Sequence, residues 1–162
     1  MAAKDIFERL MQDHDKHRAL IAAIEQCDSR GDERKALFEE YKTDATAHAA
    51  TEELTLYAEL MAMVDERIYA QHSAADHHEI GEKFDELDKV DVRSEEWPKK
   101  FAELKKTYLD HLREEEETIF GKAREALGEK RSVELRSAFN AQKPEEIERA
   151  EAGTDEKLQE QL

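Results

Sequence analysis

The chain reads as all-α: an antiparallel up-down four-helix bundle with a C-terminal helical extension. Composition is the first reason. Charged residues make up 41% of the 162 positions, while five Gly and two Pro leave little material for turns, a balance that favours long helices. Periodicity is the second. Apolar residues recur at alternating spacings of three and four along four separate segments, the pattern of a helix with one buried face. The length fits one domain with a substantial core. The apolar runs are only a few residues long, too short to cross a bilayer.

The first helix opens at Asp5, with Glu8 three residues on as a capping partner, and runs to about Asp28. Its stripe is Phe7, Leu10, His14, His17, Ile21 and Ile24. Residues 27–31 break it. The second helix is expected over about residues 32–63, with Tyr41, Ala45, His48, Glu52 and Thr55 on one face. The third covers about residues 65–89 and presents His77, Ile80, Phe84 and Leu87. Ser94 caps the fourth, with Pro98 tolerated in its first turn. That helix carries Trp97, Phe101, Leu104, Tyr108, His111, Glu115 and Thr118, reaches Leu127 and stops at Gly128. Residues 1–128 are thus the bundle, and 129–162 an extension. Within it a short helix is expected over residues 132–142. The acidic segment 144–162 is nearly without core residues and reads as a short docked helix with a frayed tail.

A formal net charge of −16 repels phosphates, so neither nucleic acid nor an anionic membrane is expected as a partner. Acidity of this kind attracts metal cations. The single cysteine, Cys27, excludes an intrachain disulfide, and the N-terminal residues lack the apolar run of a secretory signal, so a cytoplasmic setting is expected.

Every stripe aims at least one histidine inward, and two also aim a glutamate inward. The chain also echoes itself at an interval of 63. Asp13-His14 matches Asp76-His77, and His48-x-x-x-Glu52-Glu53 matches His111-x-x-x-Glu115-Glu116. Thr55-Leu56-Tyr57 matches Thr118-Ile119-Phe120. A bundle with such a repeat has an approximate two-fold axis, around which six polar core residues meet.

The spacing carries the chemistry. Residues i and i+4 share a helix face, so His48/Glu52 and His111/Glu115 can each offer an imidazole and a carboxylate to neighbouring metal ions. His14 and His77 add one imidazole from each remaining helix. Four histidines and two bridging glutamates give each of two ions two nitrogens and two oxygens, and a solvent-derived oxo or hydroxo bridge would leave room for a small molecule. This mixed donor set suits iron or manganese better than the closed tetrahedral site of structural zinc. Two carboxylates buried without a cation would be costly. Taken singly, each histidine reads as an ordinary hydrogen-bonded core group; the matched set reads as metal ligation. Glu53 and Glu116 are expected just outside the ligands, His17 in packing or in support of them, His78 in solvent, and Tyr108 in packing or hydrogen bonding near the metals.

These residues resemble the hemerythrin-like HHE cation-binding family, through Asp13-His14, His48-x-x-x-Glu52-Glu53, Asp76-His77 and His111-x-x-x-Glu115-Glu116, over roughly residues 5–127. The resemblance implies two iron ions in a di-iron centre that meets dioxygen, peroxide or nitric oxide. The chain departs from the oxygen-carrying hemerythrins, which place two histidines one turn apart on the third helix and an aspartate after the last histidine. Here His72 precedes His77 by five, which turns it about 140° away on a regular helix; a wide turn would bring it in as an additional ligand. The expected function is binding or sensing of oxygen or nitric oxide, or protection against iron and redox stress. The alternatives are a di-iron enzyme with catalase-like peroxide decomposition or another oxidative activity, and a structural bundle whose polar core fixes helix register.

Overall fold

The computed structural model describes residues 2–27 and 31–160, with residues 154–160 described by backbone alone. The helices are α1 (Ile6–Gln26), α2 (Asp32–Leu54), the short α3 (Leu56–Met61), α4 (Arg67–Asp88), α5 (Glu96–Glu114) and α6 (Phe120–Glu160). A single π-helical stretch, Glu115–Ile119, joins α5 to α6. Among the described residues there is no strand, and no helix is long and apolar enough to cross a membrane.

Local signals set most boundaries. Asp5 caps α1 by accepting the Glu8 N–H at 2.9 Å, and the Glu8 carboxylate accepts the Lys4 N–H at 2.7 Å, which ties down amide donors that have no partner within the helix. The expected end of this helix at Asp28 lies outside the described residues; Cys27 has already left the helix, with φ −70° and ψ 141°. Gly31 enters α2 at φ 113°, a conformation glycine adopts without penalty. Ser94 Oγ accepts the Trp97 N–H at 3.3 Å at the start of α5.

Two departures from the expected helices matter for the site. The second helix does not run unbroken to residue 63; it breaks at Thr55 (φ −115°, ψ −86°). Thr51 and Thr55 hydroxyls donate to the carbonyls of Ala47 (2.6 Å) and Thr51 (2.7 Å), and such back-bonding bends helices. The fourth helix likewise widens into its π turn over Glu115–Ile119. The break follows Glu52 by three residues, and the π turn begins at Glu115 and includes Thr118, the counterpart of Thr55, so the repeat extends to the irregularities.

The C-terminal extension differs more. Gly128 (φ 76°) interrupts α6 as expected, but the chain beyond it is one helix that continues through Pro144 to Glu160 rather than two short pieces. Leu135 and Phe139 are buried in an apolar cluster with Ile6, Phe7, Leu10, Leu56, Leu60 and Phe120. Docking of this arm on the bundle outweighs the amide donor that Pro144 lacks. A second apolar cluster, around Ile24, Phe38, Tyr41, Phe84, Trp97 and Leu104, fills the other end. Between the two clusters, in chain order on each helix, lie the inward histidines and glutamates.

Candidate metal centre

The structure brings His14, His48, Glu52, His77, His111 and Glu115 into one buried layer. His14 and both glutamates have no exposed side-chain surface. His48, His111 and His77 retain 3%, 4% and 8%. His48 Nε2 lies 3.3 Å from Glu52 Oε1, and His77 Nε2 lies 3.4 Å from the same oxygen. His111 Nε2 is 2.7 Å from Glu115 Oε1, and His14 Nε2 is 3.8 Å from that oxygen. Each carboxylate therefore faces one histidine of its own helix and one from the other half of the repeat. Two groups of converging donor atoms result, His14/His48/Glu52 and Glu52/His77/His111/Glu115, with Glu52 common to both.

A carboxylate stands behind every one of the four imidazoles. His48 Nδ1 donates to Asp13 Oδ2 at 2.7 Å, and His111 Nδ1 to Asp76 Oδ2 at 3.0 Å. His77 Nδ1 lies 3.4 Å from Glu53 and His14 Nδ1 lies 3.6 Å from Glu116. An imidazole whose Nδ1 proton is held in this way turns its Nε2 inward, free to carry a proton or a metal ion, the arrangement that orients and strengthens histidine ligands of metals. In the sequence Asp13 and Asp76 stand out only as part of the repeat; their role emerges from the pairing of α1 with α2 and of α4 with α5.

The inward atoms have no hydrogen-bond partners. His14 Nε2, His48 Nε2, His77 Nε2, both Glu52 oxygens and Glu115 Oε1 are all buried and unsatisfied. Unpaired buried polar groups are rare and costly, and here they share one small volume. Their separations of 2.7–3.8 Å bracket the ligand–ligand spacing of about 3–3.5 Å that follows from metal–ligand bonds of about 2.0–2.2 Å. The donor set fits a pair of cations.

Titration behaviour agrees. Burial alone would keep His48 neutral, but Glu52 and Asp13 outweigh it and lift its pKa to about 9. Burial is likewise outweighed at His111 by Glu115 and Asp76, which carry it to about 10. Glu52, despite burial that pushes it up, is held well below the usual carboxylate range by His48 and His77. The layer draws positive charge, as protons or as metal ions in their place.

Other polar groups surround the layer. His17, a candidate for packing or support, is fully buried; its Nε2 donates to Asp44 at 2.5 Å, its Nδ1 accepts the Tyr108 O–H at 2.5 Å, and its ring meets His48 edge-on at 5.3 Å. Burial holds its pKa down at about 4, so the neutral imidazole satisfies both neighbours. Tyr57, which sequence reading left unassigned, is buried and donates its O–H to Glu115; the break at Thr55 swings it there. From the C-terminal arm, Lys143 reaches Asp13 (2.7 Å) and Asp44 (3.2 Å), and Phe139 packs on His48 with ring centroids 5.9 Å apart. A cleft of about 430 Å³ between α2 and α4 leads from the surface past Ala49, Ala74 and Gly81 to His48, His77 and His111.

His72 is not in this layer. α4 is regular from His72 to His77, and the wide turn occurs in the following helix instead. His72 points out, 48% exposed, against Glu114 at 2.7 Å. His78 faces solvent, as expected.

A helical bundle with imidazoles and carboxylates converging between two apolar clusters is a metal-binding bundle. The chain belongs to the hemerythrin HHE cation binding domain family, whose description matches residues 5–123. A solved hemerythrin HHE cation binding domain-containing protein from Mycobacterium kansasii superposes with a TM-score of 0.78 over 91% of this chain and 88% of that one, at 21% identity. A protein from Nostoc sp. described as a DNA nickase is 24% identical over 143 residues, 86% of this chain and 39% of that protein. The chain thus spans about two fifths of that relative's length.

Proposed function

We propose that this chain is a non-haem di-iron protein that binds dioxygen, peroxide or nitric oxide in the service of sensing or of protection against iron and redox stress. The observation that carries this reading is the set of buried donor atoms without partners, contributed by α1, α2, α4 and the π-helical continuation of α5. His14, His48 and Glu52 would hold one iron, and His77, His111 and Glu115 the other, with Glu52 facing both. The iron pair would supply electrons and open coordination positions to a small ligand. Asp13, Asp76 and Glu53 orient the imidazoles of His48, His111 and His77, and the α2/α4 cleft would admit the ligand.

Tyr57 favours a second reading within the same site, catalase-like peroxide decomposition. Its O–H is a proton donor already aimed at Glu115 inside a water-poor layer, and a positioned proton donor is what cleavage of a peroxide bond uses. Burial, and then Glu115, keep this phenol protonated by raising its pKa well above the usual value.

Protein purified from iron-containing medium is expected to carry about two irons per chain, and a His48→Ala/His111→Ala double variant to lose them. The reduced wild type should change its visible spectrum on exposure to oxygen, peroxide or nitric oxide. Full iron retention in the double variant would sink the assignment. Sustained peroxide turnover that drops in Tyr57→Phe selects the enzyme; reversible ligand spectra without turnover select the binding module.

A further inference from the structure

We propose that His72, Asp76 and Glu114 form a second, outer site for a divalent transition-metal cation, separate from the buried centre. His72 and Asp76 stand one turn apart on α4, and Glu114 comes from the end of α5. Their donor atoms converge: His72 Nε2 is 2.7 Å from Glu114 Oε2 and 3.5 Å from Asp76 Oδ2. These separations match ligands sharing one ion at bond lengths of about 2.0–2.2 Å. One imidazole and two carboxylates, half exposed, leave further positions to water and suit zinc, ferrous iron or manganese.

The internal repeat supplies an independent argument. Shifting His72 and Asp76 back by 63 gives Arg9 and Asp13. In that half Asp13 carries two permanent cations: Arg9 Nη1 at 2.6 Å and the buried Lys143 Nζ at 2.7 Å. Both Asp13 and Asp76 have the same task, accepting the Nδ1 proton of a histidine in the buried layer. Yet among the described residues the partners of Asp76 are histidines, His111 at 3.0 Å and His72 at 3.5 Å. The place of Arg9 is taken by His72, and Glu114 adds a second carboxylate where the first half has the neutral Thr51. So the first half fills the position behind its aspartate with side-chain cations, and the second half offers the same position a metal-ligand set. An ion there would act on Asp76 as Arg9 and Lys143 act on Asp13. The outer site shares no residue with the six of the buried layer; Asp76 links the two through its contact with His111 Nδ1.

The test is zinc titration of the full chain, read by equilibrium dialysis and by the imidazole NMR resonances of His72, assigned from their absence in His72→Ala. Wild type is expected to bind about one zinc per chain more than His72→Ala, with the His72 resonances shifting as that class fills. Glu114→Gln should weaken the same class. His72→Arg restores the Arg9 arrangement and should fold well, bind one zinc fewer and lose the zinc-dependent rise in melting temperature assigned to this class. Equal zinc content and affinity in wild type, His72→Ala and Glu114→Gln, or His72 resonances indifferent to zinc, would overturn the proposal. Should the buried layer prove to take no metal, the tight class vanishes while the His72-dependent class persists, so the two failures are distinguishable.

Discussion

The two halves of the repeat hold the same inward donor types in the same order, but they are finished differently. Around His14 and the Asp13 side of His48 the surroundings are closed, while the other side of His48 borders the cleft. The C-terminal arm lays Phe139 against His48 and drives Lys143 between Asp13 and Asp44, and the Asp13 side chain is only 6% exposed. Among the described residues, no contact from the C-terminal arm comparable to these covers His77 and His111. Asp76 is 23% exposed, and a cleft reaches the histidines. Tyr57 over His77 replaces the Phe120 that stacks on His14. The repeat therefore yields one covered wall and one more accessible wall around a shared layer. The contrast shows that inward donors can stay symmetric while their surroundings diverge.

The closed half should be the more sensitive to substitution, and Lys143→Met is the most damaging change expected. It leaves Asp13 and Asp44 buried together without their shared ammonium. Burial raises both carboxyls, and they stay far below the usual range because His48 and Lys143 at Asp13, and His17, Lys143 and Lys16 at Asp44, overcome it. Breaking a buried ion pair by removing one member costs about 3–5 kcal/mol. Urea unfolding of the metal-free protein at pH 7 should show a loss of that order, whereas His72→Ala on the open half should cost under about 1 kcal/mol, as exposed pairs do. Equal losses would erase the distinction between the halves.

His17 gives the closed half a pH response that its counterpart Ile80 cannot. Its pKa is depressed by burial to about 4, while an unfolded histidine takes its proton near about 6.5. The unfolded chain thus binds more protons between these values, so stability is present above about pH 6.5 and drains away as the pH falls toward 4. The loss approaches about 3 kcal/mol. Urea midpoints of metal-free protein across this range should fall in wild type and flatten in His17→Phe. An NMR titration of His17 with a midpoint near 6.5 would contradict the burial argument.

Much of this was readable beforehand, for reasons that particular residues make plain. The apolar stripes and the echo placed all six inward donors because helix periodicity alone decides which side chains share a face. Lys143 was not legible. Its segment is acidic and poor in core residues, and only docking against α1 and α2 gives its ammonium two carboxylates. Asp13 and Asp76 were visible as repeated letters, but their acceptor role depends on the pairing of neighbouring helices. Tyr57 depended on the break at Thr55, which arises from two consecutive hydroxyl back-bonds that propensity does not weigh. His72 turned on where a wide turn would form; the turn formed in the next helix instead.

Tyr57→Phe is the direct way to make the halves more alike, since it copies Phe120. It removes one O–H from a buried carboxylate, and hydrogen bonds to charged groups contribute roughly 1.5–3 kcal/mol. Chemical unfolding of the metal-free variant should register a loss in that range, with α-helical circular dichroism unchanged. A neutral result would mean that Glu115 finds another donor when the phenol is gone.

The smallest stability effect belongs to the open wall itself. Along the α2/α4 seam the cleft is bordered by Ala49, Ala74 and Gly81. The repeat maps these onto Leu112, Met11 and Arg18 at the α5/α1 seam, where Leu112 is fully buried and Arg18 pairs with Glu116 at 2.7 Å. The hollow on that side, bordered by Met11, Glu116 and Phe120, reaches none of the four histidines. Small residues in one seam and large ones in the other thus set the route inward. A Cβ placed on Gly81 meets nothing within 4 Å, and its helical backbone is ordinary, so Gly81→Leu should fold and gain roughly 0.5–1 kcal/mol from helix propensity. The added side chain would occupy the cleft. Stopped-flow binding of nitric oxide to the reduced, iron-loaded variant should then be several-fold slower, with iron content and melting temperature undiminished. An unchanged rate would move the ligand's path away from this seam and leave the small residues without a role in access.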